Sequence, residues 1–145
     1  MARRPYGQFR ARLRPVNPKK IGTYYESLFK TEVLKRGYNV ATPEGDYLGY
    51  DVIVEGAKGL KTVQVKGTRS IEKKYMRWKI VVTNLTENID FLCAYVDWPD
   101  LRSWYVIPRG KIKCMTVKLY PDRPSSKGVF EPYRNAWHLL GGKLD

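Results

Sequence analysis

Three side chains able to hold a hard metal ion and handle a proton lie in one short stretch of this 145-residue chain: Asp51, Gln64 and Lys66. Asp51 belongs to Tyr50-Asp51-Val52-Ile53-Val54, and the other two belong to Val63-Gln64-Val65-Lys66. Between them, Gly56-Ala57-Lys58-Gly59 reads as a turn joining a strand over Tyr50–Glu55 to one over Leu60–Lys66, an antiparallel hairpin. Strand alternation sends Gln64 and Lys66 to one face and Val63 and Val65 to the other. Asp51 opens the partner strand, so the hairpin brings it opposite the end of the third strand. A carboxylate, an amide oxygen and an ammonium then share one sheet end within an apolar run, where unpaired polar groups are costly. The plain structural alternative is an Asp–Lys pair on a solvent-facing edge hairpin.

A second carboxylate comes from the helix that must pack on that sheet. Ile21, Tyr24, Tyr25, Leu28, Phe29 and Val33 recur at helical spacing, predicting a helix from Lys19 that Gly37 stops. At ~100° per residue, Glu26 falls about 140° from Ile21, at the margin of the apolar stripe. Glu32 lies nearer the stripe's centre and competes with Glu26 for the site. Further strands are expected at 38–41, 78–83, 89–96, 103–107 and 116–120, with a short final helix at 133–140. The 89–96 run is apolar apart from Asp90, as for a strand covered on both faces. The pattern is a mixed α/β domain over residues 19–145, preceded by an extended basic arm over 1–18.

Composition removes other chemistries. His138 is the only histidine, so a zinc finger or HNH-type centre lacks ligands and a Ser-His-Asp triad would hang on that one residue. No GxxxxGK[ST] or GxGxxG phosphate loop occurs. Cys93 and Cys114 stand apart without a metal-binding pattern, which reads as free thiols in a cytoplasmic protein. No apolar run approaches the ~18 residues of a membrane span, so no membrane partner is expected.

Net charge is +13, and residues 1–20 hold seven basic groups without one acid. Clustered Arg and Lys gain by displacing counterions from nucleic acid. Proline punctuation and the lack of an apolar face argue against a membrane-surface helix there. Arg3, Arg4, Arg10, Arg12 and Arg14 of the arm, with Arg69, Lys73, Lys74 and Arg77 beyond the hairpin, are the candidate DNA contacts. Trp78, Trp104, Tyr105 and Trp137 fit core positions better than base-stacking ones; Cys93 also reads as core, and His138 as structural or exposed.

The chemistry-bearing stretch resembles the PD-(D/E)xK nuclease superfamily, most closely its group I intron-encoded homing endonuclease branch. The residues that carry the likeness are Gly22-x-x-x-Glu26, Arg36-Gly37-Tyr38, Pro43, Tyr50-Asp51, Gly59-Leu60 and Val63-Gln64-Val65-Lys66, with a weaker continuation at Ile89-Asp90-Phe91 and 104–108. Two features depart from the superfamily pattern. Gln64 stands where an acid is usual, a replacement this branch accepts, and no clear helix separates the third strand from the next.

The resemblance implies a restriction-endonuclease-like core: a helix, a mixed sheet with a central hairpin, and flanking helices. It implies Mg²⁺-dependent hydrolysis of double-stranded DNA at specific sites, with Mn²⁺ able to substitute. Asp51, the Gln64 oxygen and the Val65 carbonyl would bind the metal. Glu26 would serve a metal-bound water or a second ion, and Lys66 would act on the attacking water and the phosphate. Cutting both strands requires at least a dimer, and the branch implies a tetramer. A Holliday-junction resolvase and a non-catalytic nucleic-acid-binding module are the competing expectations.

Overall fold

In a computed structural model, residues 17–45, 49–123 and 128–144 are described. The expected arm, with Arg3, Arg4, Arg10, Arg12 and Arg14, lies outside them apart from its last two residues.

Among the described residues there is one α-helix, α1 (Pro18–Lys35), which begins one residue before the expected start. Asn17 caps it, its Oδ1 accepting from the N–H groups of Lys19 at 2.9 Å and Lys20 at 3.4 Å, with Pro18 in the first turn. At the other end Gly37 adopts φ 93°, and Gly37 N–H donates to Leu34 O while Tyr38 N–H donates to Val33 O. This double bond pattern around a left-handed glycine satisfies the last carbonyls and turns the chain into the sheet. Tyr25, Phe29 and Val33 form the buried stripe.

Besides short 3-10 turns, the remaining described elements are strands β1 (Asn39–Ala41), β2 (Val52–Gly56), β3 (Gly59–Thr68), β4 (Ile71–Glu72), β5 (Arg77–Val81), β6 (Phe91–Val96), β7 (Ser103–Pro108) and β8 (Thr116–Leu119). They make a five-stranded sheet in the order β1-β2-β3-β6-β7 and a three-stranded sheet in the order β4-β5-β8. In the larger sheet only β3 and β6 run parallel. The link between parallel strands is usually a helix; here β4 and β5 fill it.

Every residue of β6 is buried, matching the expectation of a strand covered on both faces. Cys93 and Tyr95 face α1, Trp104 and Trp137, whereas Leu92, Ala94 and Val96 face the smaller sheet through Trp78, Ile80, Val117 and Leu119. The aromatic residues singled out as core are core: Trp78, Trp104, Tyr105 and Trp137 are all buried. His138 is exposed.

The expected mixed α/β, restriction-endonuclease-like fold is what forms, with one element corrected. The final helix over 133–140 is instead two short 3-10 turns, Glu131–Tyr133 and Trp137–Leu140. Asn135 at φ 56° and a bridge from Arg134 to Tyr105 break the periodicity between them. Flanking α-helices are absent among the described residues. The second face of the large sheet is covered by β4, β5 and β8, whose alternating Trp78/Ile80 and Val117/Leu119 do what a helix stripe would do.

Candidate active site

The hairpin ladder runs in one register from Gly56–Gly59 to Val52–Val63 and then slips. Asp51 N–H donates to Val63 O at 2.9 Å, one residue out of step, so Asp51 and Val52 both oppose Val63. Such a bulge-like step re-aims a side chain at the end of pairing. Asp51 Oδ2 thereby accepts the Val65 N–H at 2.8 Å, standing in for the strand partner that β2 no longer provides. A residue in an extended ladder presents its N–H and C=O to the same edge, so the Val65 carbonyl faces the edge where Asp51 sits.

Gln64 lies beside this junction. Its Oε1 is shielded from solvent and has no hydrogen-bond partner. A buried acceptor left unmade costs free energy on the order of 1–3 kcal/mol, and the same lone pairs are what a hard cation requires.

The two carboxylates of the site are half-buried. Burial pushes the Asp51 carboxyl above its usual range, while the Val65 N–H bond and the charges of Lys66 and Lys30 pull it back. Glu26 is also raised, first by burial and then by the negative charge of Asp51, with Lys30 opposing. Glu26 is therefore the helical carboxylate that faces Asp51. Glu32 turns elsewhere, pairing with Arg36 at 2.9 Å and Lys35 at 3.6 Å. Among the described residues no three His, Cys, Asp or Glu side chains converge; the site offers two carboxylates, an amide oxygen and a carbonyl. This all-oxygen, two-acid donor set fits a Mg²⁺-type ion that keeps much of its own water.

A second polar cluster secures the other side of β3. Buried Asp97 accepts from Tyr25 Oη at 2.9 Å, Arg69 Nε at 3.0 Å and Arg102 Nε at 3.2 Å, and its N–H donates to Thr68 O. The Tyr25 ring lies over Gly67, where a Cβ would come within 2.4 Å of the ring. Tyr25 precedes Glu26 and Gly67 follows Lys66, so this contact fixes the spacing of helix and strand at the site.

The structure thus brings together Glu26, Asp51, Gln64, Val65 and Lys66. Of the expected DNA contacts, Lys73 and Lys74 are exposed in the β4–β5 turn. Arg69 and Arg77 are engaged within the fold, Arg69 with Asp97 and Arg77 with Glu72 at 2.6 Å. Lys30, Gly67 and Asp97 escaped the sequence reading. Lys30 follows Glu26 by one helical turn, a spacing that could have flagged it, and Asp97 ends the most apolar run of the chain.

Comparison with known proteins identifies the family of this fold. The PD-(D/E)XK endonuclease family matches residues 16–140. The bacterial homing endonuclease I-Ssp6803I superposes with a TM-score of 0.74 at 27% identity, covering 87% of this chain and 92% of that one. Hjc, a Holliday junction resolvase from Archaeoglobus fulgidus, superposes at 0.54 with 15% identity over 86% of this chain and 98% of its own, a likeness of fold. No curated protein sequence matches. With the family spanning nearly the whole chain and its acid, amide and lysine gathered at one strand end, this protein belongs to the PD-(D/E)XK endonuclease family.

Proposed function

We propose that this chain is a Mg²⁺-dependent endonuclease that hydrolyses phosphodiester bonds of double-stranded DNA at specific sites. The observation that carries the reading is Asp51, hydrogen-bonded to Val63 O and the Val65 N–H on either side of Gln64, whose Oε1 is buried and unpartnered. Asp51, Gln64 Oε1 and the Val65 carbonyl would hold the ion, with Glu26 toward a water or a second ion. When bound, the metal supplies Lewis-acid polarisation of the phosphate and activation of the attacking water. Mn²⁺, also an oxygen-seeking ion, is expected to substitute.

Lys66 does the remaining work. It lies close enough to Asp51 to lower that carboxyl's pKa, within reach of a nucleophile held at the same strand end. Its ammonium orients the attacking water and offsets charge developing on the phosphate. The low polarity that raises both carboxyls also strengthens this electrostatic contribution.

Identity with the homing endonuclease favours linear duplex over branched DNA as substrate. Cutting both strands from one site per chain requires a homo-oligomer, a dimer or tetramer. No described helix is long and apolar enough to cross a membrane, and a DNA substrate fits a cytoplasmic location. The test is a cleavage assay on pooled long duplexes and on four-way junctions with Mg²⁺. Discrete duplex products that vanish in Lys66→Ala support the reading. Preference for junctions converts it to a resolvase, and cleavage that survives Lys66→Ala rejects the site.

A further inference from the structure

The smaller sheet has a charged outer face that the folded core does not use. Trp78 and Ile80 of β5 and Val117 and Leu119 of β8 point inward, so Arg77, Lys79 and Lys118 alternate outward. In the antiparallel register Lys79 stands directly opposite Lys118. Like charges directly opposite on one sheet face destabilise a sheet, and a fold under no other demand gains from replacing one.

The only acid on these strands is Glu72, which pairs with Arg77 at 2.6 Å and Lys79 at 3.7 Å. Lys118 makes no ion pair within 4 Å among the described residues, and the single Glu72 carboxylate is shared between its field and those of Arg77 and Lys79, leaving the face with net positive charge. The basic character continues along the β8 edge through exposed Lys111 and Lys113, where a cavity of about 640 Å³ also takes in Lys118.

This face is joined to the candidate active site. A groove of about 430 Å³ runs between the first turns of α1 (Pro18, Ile21, Gly22) and the wall formed by Lys66, Arg69 and Lys79. Lys66 and Lys79 line the same channel, one at the site and one on the outer sheet face.

We propose that the outer face of β4-β5-β8, reached from Lys66 through this groove, carries the phosphate backbone of the duplex flanking the scissile bond, with Lys79 and Lys118 as its principal cations. Charge complementarity selects the partner: a row of phosphates neutralises the opposed lysines that the fold leaves facing each other. The proposal rests on the nuclease reading for its substrate but is tested apart from catalysis.

The experiment measures binding of a 5′-labelled 30-base-pair duplex of mixed sequence (roughly the length that lets a flanking contact count) without divalent metal, as salt is varied. Variants are Lys79→Gln, Lys118→Gln, their double, and Lys58→Gln on the distant hairpin turn as control. Each sheet variant should reduce the magnitude of the log K against log salt slope by about 0.9, and the double by nearly 2. Lys58→Gln should leave it unchanged. Melting should show the double variant no less stable than wild type, separating lost contact from lost fold.

A slope unchanged in the double variant, with wild type binding and cleaving, overturns the surface and leaves the nuclease reading intact. Wild type that binds no duplex overturns both. An equal slope change in Lys58→Gln overturns the localisation to this sheet.

Discussion

Residues 25 and 26 are neighbours on one helix, yet they serve two polar clusters of opposite character. Tyr25 joins the cluster around Asp97, where both carboxylate oxygens are taken by three donors and both arginines are committed. Glu26 faces the cluster around Asp51, where one carboxylate oxygen takes the Val65 N–H and the side-chain oxygen of Gln64, the residue before Val65, has no partner. The first cluster is complete as folded. The second has two ammonium groups, Lys66 and Lys30, acting on its two carboxylates, yet leaves the Gln64 oxygen without a donor. Saturation suits a structural device, whereas an unpaired buried acceptor beside a half-buried carboxylate suits a ligand that repays its cost. Asp122 Oδ1 and Trp137 Nε1 also lack a hydrogen-bond partner, so it is the company of Asp51 and Lys66 that singles Gln64 out.

The largest effect should fall on the unsaturated cluster. Lys66→Ala and Asp51→Ala should each lower the single-turnover cleavage rate by about 10²–10⁴-fold, measured at saturating enzyme so that binding is not limiting. Lys66→Ala should melt near wild type, and Asp51→Ala should lose no more than the about 1–3 kcal/mol of the Val65 N–H that it leaves unpaired. The reverse pattern belongs to Asp97. Asp97→Ala leaves Arg69, Arg102 and the Tyr25 hydroxyl without their shared acceptor, and about 2–4 kcal/mol of stability should be lost in urea unfolding. If Asp51→Ala unfolds the protein and Asp97→Ala does not, the assignment of roles is inverted.

Gly67 tests how the clusters are mechanically joined. An added methyl would lie 2.4 Å from the Tyr25 ring, and the ring cannot retreat because its hydroxyl is held by Asp97. Overpacking of this kind costs about 1–3 kcal/mol. Gly67→Ala should therefore destabilise and should also slow cleavage, since moving Tyr25 moves Glu26. Gly110, with open space around it, is the control: Gly110→Ala should do neither.

The two clusters also differ in how far the sequence disclosed them. Asp51, Gln64 and Lys66 were legible because hairpin register follows from strand alternation and a short glycine-flanked turn. The choice between Glu26 and Glu32 was not legible. Helical angle alone favoured neither, and the decision came from Arg36 and Lys35 capturing Glu32 on the helix's own surface. Asp97 was invisible because its partners lie 72, 28 and 5 residues away in sequence, and no local pattern announces such a meeting. The expected final helix failed for a related reason. Residues 133–140 carry apolar spacing, but a left-handed Asn135 and the Arg134–Tyr105 bridge follow from tertiary packing.

The smallest effect expected is one of stability, and its sign separates the clusters most cleanly. Asp51 has its carboxyl pKa raised by burial. A group raised in the folded state contributes stability below its unfolded pKa and loses that contribution as pH rises through the folded pKa. At neutral pH the ionised Asp51 therefore weighs against the metal-free fold. Asp51→Asn keeps an oxygen for the Val65 N–H and removes the charge, so the metal-free variant should melt above wild type at pH 7. The gap should close as the pH is lowered into the range where wild-type Asp51 takes up its proton. Glu26→Gln should move the same way, because burial and the Asp51 charge raise it too. Added Mg²⁺ should raise the melting temperature of wild type and narrow or reverse the difference, since only the native site gains by binding. Asp97→Asn, which weakens two arginine pairs, should lower the melting temperature at pH 7 with or without the ion. Scanning calorimetry across pH 4 to 8, with and without Mg²⁺, reads all three variants (roughly one pKa range either side of an ordinary carboxyl and beyond). An Asp51→Asn protein less stable than wild type at pH 7 without metal would make that carboxylate a structural one, like Asp97.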